Sequence, residues 1–368
     1  MVEYKLIKRS NITKEEESIW RDMCAKTMRF ASPVLLPQFS AIIDEIRGDV
    51  EVLVARENDV PVGFLALHKR SSKIARPAGA PFSDYTAFVS YEGAKISLPD
   101  ALEAVGIDRL QVIGLVDPYG VCGTIKGEEE LAYGIDVKSD VVPNSLSKKH
   151  QKNYRRIKRH LIDDYGEEHF IFNDKSEEHF RKMIEFKRAQ TVHTGVHDFL
   201  APEWVEKLME KLFFSKDPEY HGCMISLMTH ETPICFQFGP RIGRRMHPWI
   251  ATYDQDFFQY SPGQIFLVEI LDVLKEQGID YYDLSVGESR YKSTFSNDSH
   301  LVRHGKICRT GLVSKQDNEI WNEETKIGKI HNKLRRRIDQ IACLELELSG
   351  RIKGISFALA NAAKRIKN

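Results

Sequence analysis

The residues with the clearest chemical potential lie between Ile250 and Phe295. A strand-like run ends near Tyr253. A polar-aromatic connection then leads to Tyr260-Ser261-Pro262-Gly263-Gln264, where a helix opens. Ser261 is a favourable N-cap residue, and Pro262 falls at the first helical position, where its missing N–H costs nothing. Gly263 places no side chain between the first-turn amides and an incoming group. Free N–H groups and the helix dipole together favour a phosphate at such a turn. The competing reading is a well-capped core helix. Beyond the helix, Asp283 sits in the strand-like Tyr281–Val286, followed by Gly287, Glu288, Tyr291 and Lys292. Two further groups stand apart. Asp84 and Tyr85 occupy a Pro/Gly-rich loop, a kind of segment that either binds ligands on a rigid scaffold or simply closes a turn. Lys187 and Gln190, three apart, share one helix face, which can line a cleft or be merely solvated.

Positioning these residues requires an α/β scaffold, and the hydrophobic periodicity supplies one. Val2–Lys8 reads as a strand, Glu15–Met28 as a helix behind a Thr13 N-cap, and Gln38–Ile46 as a second helix. Val50–Arg56 and Val60–Lys69 form a hairpin around Glu57-Asn58-Asp59. Leu98–Ala104 is a helix, and Arg109–Leu115 and Leu131–Val137 are strands. Ser147–Tyr165 is a helix that carries seven Lys or Arg and no acid between Ser147 and His160. The second half repeats the order: strand His169–Phe172, helices Glu177–Gln190 and Pro202–Phe214, strands Cys223–Thr229, Ile234–Ile242 and His247–Tyr253. The helix Pro262–Glu276, the strand Tyr281–Val286 and a late strand Ile307–Val313 complete it. The expected division is an N-terminal half 1–145, a basic linker helix 146–166, a C-terminal half 167–315 and a helical extension 316–368. In the extension Ile320–Leu348 has an amphipathic helical pattern, and Arg351–Asn368 has five basic residues and no acid.

Composition narrows the function classes. Lys+Arg and Asp+Glu both number 53 in 368 residues, which argues against a globally basic nucleic-acid binder, and no DNA partner is expected. Six cysteines lack any CxxC pair and fit reduced thiols. The start has no apolar core of a signal peptide, and no run reaches the roughly 18 apolar residues of a membrane helix, so a cytoplasmic location is expected. His193/His197 and His300/His304 have metal-compatible spacing, but Gly195 interrupts one pair, Gly305 follows the other, and no third ligand is apparent; no metal is expected. The basic helix could touch RNA, anionic lipid or an anionic acceptor, although Tyr154 is its only aromatic. The tail could lie weakly on an anionic membrane surface or dock on its own domain.

The strand–turn–helix–strand unit resembles the GCN5-related N-acetyltransferase (GNAT) superfamily, where this turn holds the pyrophosphate of acetyl-CoA. The superfamily signature Gln/Arg-x-x-Gly-x-Gly/Ala aligns on Gly263, with Tyr260 and Ile265 departing from its outer positions. A nearer resemblance is to the cellulose-biosynthesis-associated acetyltransferases, themselves distantly similar to Fem peptidyltransferases. That branch shows a Tyr-Ser-Pro-Gly turn, here Tyr260 to Gly263. It shows an Asp-containing strand followed by Gly-acid-x-x-Tyr-Lys, here Asp283 and Gly287-Glu288-Ser289-Arg290-Tyr291-Lys292. It also shows Gly-Ala-Pro-x-Ser-Asp-Tyr, here Gly79 to Tyr85, then a basic linker helix and a Lys-x-x-Gln helix, here Lys187 and Gln190. The resemblance spans Val2 to Val313.

The resemblance implies a tandem GNAT-like α/β fold, mixed sheets flanked by helices, with a C-terminal helical extension. It implies acetyl-CoA as acyl donor, held by Tyr260, Ser261, Pro262, Gly263, Gln264 and Lys292, and no metal. The acceptor would be a small molecule or glycan precursor met by Asp84, Tyr85, Lys187 and Gln190. Glu288 is the candidate general base, Tyr291 would protonate the leaving thiolate or orient the acceptor, and Asp283 completes the catalytic group unless it only caps a turn. In GNAT folds, backbone N–H groups of the central strand meet the oxyanion, here within Trp249–Tyr253. Two other readings remain open: Fem-like aminoacyl transfer from charged tRNA, and a non-catalytic interaction module.

Overall fold

The computed structural model describes residues 2–141, 148–287, 290–312 and 326–367. The chain packs into two compact units, residues 1–130 with 301–368, and residues 131–300.

The first unit opens with β1 (Val2–Lys8) and α1 (Lys14–Ala25). Thr13 starts α1 with a complete capping box: its hydroxyl accepts from the Glu16 N–H at 3.2 Å, and the Glu16 carboxylate accepts from the Thr13 N–H at 2.9 Å. Next come α2 (Pro37–Arg47), β2 (Val50–Glu57) and β3 (Val60–Ser71). Asn58 and Asp59 both take positive φ, as a two-residue hairpin turn requires. β4 (Ile74–Pro77), β5 (Val89–Ser90), α3 (Leu98–Ala104) and β6 (Arg109–Leu115) come after them. The chain leaves this unit within β7 (Lys126–Asp136).

The second unit holds α4 (Lys148–Tyr165), β8 (Glu168–Phe172), α5 (Glu177–Thr194), α6 (Glu203–Phe213), β9 (Tyr220–Thr229) and β10 (Thr232–Ile242). It continues through β11 (Arg245–Met246), β12 (Ile250–Tyr253), α7 (Pro262–Glu276), β13 (Tyr281–Val286) and α8 (Arg290–Phe295). The chain returns to the first unit within β14 (Asp298–Cys308), then forms α9 (Lys326–Leu344) and α10 (Leu348–Lys367). The basic helix α4 therefore belongs to the second unit.

Each unit is a mixed sheet with helices packed on it. Strand order is β1-β2-β3-β4-β6-β14 in the first and β7-β13-β11-β10-β9-β8 in the second, with β5 beside β3 and β12 beside β10. Pairing is antiparallel except for β4 with β6 and β11 with β13. Leu53, Leu65, Leu98 and Leu110 centre one core, and Ile225, Phe266, Ile270 and Tyr282 the other.

Three expectations need correction. The late strand runs over Asp298–Cys308 instead of 307–313; positive φ at Gly311 turns the chain just beyond it. The single strand expected over His247–Tyr253 is interrupted, with β12 starting only at Ile250. The extension forms two helices, not one, since the chain leaves helical geometry between Leu344 and Leu348; residues 320–325 of the expected helix lie outside the described residues.

Candidate functional site

The interruption after Met246 shapes the second unit. β11 and β13 run parallel and pair only through Arg245–Tyr281 and Met246–Tyr282. After that β12 stays with β10 and β13 with β7. Beyond that point no pairing joins β12 to β13 among the described residues, which leaves a split between them. Its cause is local. Trp249 and Ile250 both face Phe238: the Trp249 N–H donates to the Phe238 carbonyl at 2.9 Å, and Ile250 is Phe238's register partner. Such an extra residue bends a strand, and Pro248 beside it has no N–H for a ladder. A second irregularity lies across the split, where β13 shifts register against β7 between Asp283 and Ser285. Ser285 has φ +62°, and Asp283 Oδ1 accepts from its N–H at 2.7 Å.

The vertex of the split is polar and buried. His247, fully buried, places Nδ1 3.7 Å from Asp283 Oδ2. Beside it the Tyr282 hydroxyl donates to Gln237 Oε1. Sequence reasoning passed over His247. The available signal was a histidine followed by proline inside an otherwise apolar strand.

One wall of the split is the outer edge of β12. The Asp254 N–H donates to the Ile234 carbonyl at 3.0 Å. Strand alternation then turns the backbone groups of Ala251 and Tyr253 away from β10. Trp249 is spent on β10, which narrows the expected oxyanion donors to that outer edge. Lys187 reaches the same edge from α5: its Nζ donates to the Ala251 carbonyl at 3.0 Å and to Gln190 Oε1 at 2.9 Å, and sits 5.8 Å from the Phe199 ring centre. Burial pushes the Lys187 ammonium down to about 8. The two residues quoted from the Lys-x-x-Gln pattern are thus in contact with each other, and Lys187 also with the central strand.

The turn before α7 differs from expectation in its capping. Ser261 is left-handed, φ +48° and ψ +55°, and its side chain makes no capping bond. Its carbonyl instead accepts from the N–H groups of Gln264 at 2.8 Å and Ile265 at 3.3 Å. Tyr260 is buried, and its hydroxyl donates to Asp164 Oδ2 of α4 at 2.6 Å, so only its backbone is free for a ligand at the turn. Pro262 is buried as well. Gly263 is the open position. A Cβ built there meets nothing within 4 Å, and the first turn of α7 holds no acid. The Gly263 N–H has no partner among the described residues. These features fit a phosphate group.

At the far end of β13, Lys292 is buried and donates to the Val286 carbonyl at 2.6 Å, while Tyr291 is 44% exposed. Glu288 lies outside the described residues. Asp84 and Tyr85 belong to the first unit. Tyr85 is buried and, with Trp20, Leu36 and Phe39, lines a small, largely apolar pocket. Among the described residues no cluster of three or more His, Cys, Asp or Glu is placed to hold a metal, and no helix is long and apolar enough to cross a membrane.

Residues 148–293 match the family model described as an acetyltransferase (GNAT) domain. That segment contains the split, the Gly263 turn, Lys187 and Gln190. No curated protein matches the sequence. Among solved structures, FemX aligns with a TM-score of 0.52 at 10% identity, covering 83% of this chain and 96% of its own. The fold is GNAT-like. A tandem GNAT protein from the clavulanic acid biosynthesis pathway aligns over 83% of this chain and 98% of its own, with a TM-score of 0.46 at 10% identity.

Proposed function

We propose that the second unit of this GNAT-like protein carries an acyltransferase site. It would use acetyl-CoA as donor and pass the acyl group to an amine or hydroxyl of a sugar, nucleotide sugar or polysaccharide precursor. The observation that carries this reading is the open amide turn at Gly263, beside the β12–β13 split and inside the segment that matches the acetyltransferase family.

The Gly263 N–H and the positive end of the α7 dipole hold the donor pyrophosphate, whereas the N–H groups of Ser261 and Gln264 are already bonded to the carbonyls of Phe258 and Ser261. The donor supplies an acyl group activated as a thioester. The outer edge of β12 at Ala251 and Tyr253 lines the reacting carbonyl, and the Tyr253 N–H faces the negative charge that develops on its oxygen. Lys187 and Gln190 orient the acceptor. Glu288 takes the proton from the acceptor N–H or O–H, and the exposed Tyr291 gives one to the departing thiolate. Since a thiol has a pKa of about 8.5, that last transfer contributes modestly. Asp283, bonded to the Ser285 N–H beside His247, holds the strand end and transfers no proton.

Release of free thiol from acetyl-CoA across a panel of amino sugars and nucleotide sugars tests the reading. Acceptor-dependent release that falls on the order of a hundredfold in Glu288→Gln supports it. Release that is unchanged in that variant removes Glu288 from the base role, and no release with any acceptor counts against the substrate class.

A further inference from the structure

The C-terminal helix α10 carries an exposed apolar surface that the acyltransferase reading does not use. Leu348, Ile352 and Leu359 are 69%, 58% and 44% exposed. At 100° per residue they fall within about 40° of one another around the helix, so they form one line along it. Leu346 just before the helix and Phe357 within it are exposed too. The buried side of the helix, marked by Gly354 and Ala358, lies about 100–140° around from this line, and Phe357 is exposed on the far flank.

The helix beneath it is fastened to the first unit. On α9, Asp339 pairs with Arg76 of β4, the Ala342 carbonyl accepts from Arg70 of β3, and Arg336 pairs with Glu128 at 2.5 Å and Glu130 at 3.2 Å. Arg351 holds the start of α10 by donating to the carbonyls of Glu345 at 2.7 Å and Leu346 at 2.8 Å. The apolar line is therefore displayed by an anchored element.

Charge indicates what would cover it. From Leu348 to Asn368 the sequence has Arg351, Lys353, Lys364, Arg365 and Lys367 and no acid. Lys353 is exposed on the flank of the helix, about 120° around from the middle of the apolar line. A partner that buries leucine and isoleucine while neutralising lysine and arginine combines hydrocarbon with negative charge. An anionic bilayer surface does both, and an amphipathic basic helix lying in its interface is the corresponding binding mode. We propose that α10 is a membrane-surface docking helix that seats the first unit on anionic lipid, with Leu348, Ile352 and Leu359 entering the acyl boundary and Lys353 meeting phosphate headgroups. The inference is independent of the acyl-transfer reading.

Co-sedimentation of the full chain with phosphatidylcholine vesicles, with and without phosphatidylglycerol, tests it. The expected result is binding to the anionic vesicles only, weakened by salt, since screening shortens the reach of the cations. The triple variant Leu348→Ser/Ile352→Ser/Leu359→Ser should lose roughly tenfold or more in partitioning, and Lys353→Glu a smaller part. The three substituted side chains are exposed, and an unchanged circular dichroism spectrum establishes that the variant folds. Absence of binding to anionic vesicles overturns the proposal, as does equal binding by the triple variant. A wild-type dimer that the triple variant converts to monomer, without vesicle binding, would assign the face to a second copy instead.

Discussion

In the first unit β4 and β6 run parallel through Ile74–Arg109 and Ala75–Leu110, much as β11 and β13 pair through two residues in the second. Past these short pairings the two units diverge. In the first unit the segment after β4 returns to the gap. Thr86 bridges to Leu115, its N–H donates to the Gly114 carbonyl at 3.2 Å, and its carbonyl accepts from Val116 at 2.9 Å. The helix after it, α3, is short, and its start is satisfied internally: the Ser97 hydroxyl accepts from the Asp100 N–H, and the Leu98 N–H donates to the Val121 carbonyl. Asp100 adds a negative charge at the first turn. In the second unit β12 and β13 are not bridged among the described residues, α7 is fifteen residues long, and Gly263 opens it without acid or side chain. One architecture thus occurs in two states: a gap filled by its own chain beside a self-capped helix, and a gap left open beside a helix start that can take an anion. A ligand site in such a fold needs both absences together.

Substitutions at the two glycines sharpen that contrast. Gly114 has φ +51°, and a Cβ there would lie 2.1 Å from the Asp84 carbonyl oxygen. Gly114→Ala should therefore destabilise the protein by about 3 kcal/mol or more, read as a lower urea midpoint, because backbone has to move. A loss under about 1 kcal/mol would mean that the filling segment is loosely held.

Lys187 tests the wall of the open split. Its pKa is lowered by burial, so between about 8 and the ordinary lysine value the unfolded chain binds more protons than the folded one, and stability rises with pH across that window. Lys187→Met removes this slope. The stability difference between wild type and variant should shift by about 1 kcal/mol in the wild type's favour from roughly pH 7 to pH 10, allowing for solvent screening. A difference that stays flat with pH would show that Lys187 is freely solvated.

Tyr260→Phe should cost about 1 kcal/mol through loss of the bond to Asp164 and leave donor binding intact, since the ring faces the core. Weakened donor binding would give the hydroxyl a role at the turn. The smallest effect belongs to Gly263→Ala, where the space is open and φ is not in the left-handed region: stability should stay within about 0.5 kcal/mol. A larger loss would mean that the turn is packed.

Much of this scaffold was legible in the residues. Leu98–Ala104, Arg109–Leu115, Pro262–Glu276 and Tyr281–Val286 appear where apolar spacing and punctuation predict them, because each packs one continuous apolar face. The meeting of Lys187 with Gln190 was legible from their spacing, while the docking of Lys187 on Ala251 was not, since it joins elements 64 residues apart. The bulge at Trp249 was hidden for a related reason. His247–Tyr253 has strand-like composition, and the extra residue becomes visible only against Phe238. Ser261 carried a capping side chain in sequence, but its left-handed backbone makes the carbonyl the group that closes the turn. Short β4 and the plug at Thr86 left no periodic trace at all.

Whether the open gap of the second unit binds an acyl-CoA through the Gly263 turn is tested most directly by calorimetric titration of acetyl-CoA into the wild-type chain and into Gly263→Glu. The added side chain meets open space, so the fold should persist, while a carboxylate at the helix start opposes the pyrophosphate. The expected result is binding on the order of micromolar in the wild type and its loss in the variant. A well-folded wild type that takes up no acetyl-CoA, or a Gly263→Glu variant that binds it equally well, would contradict a donor site at this turn.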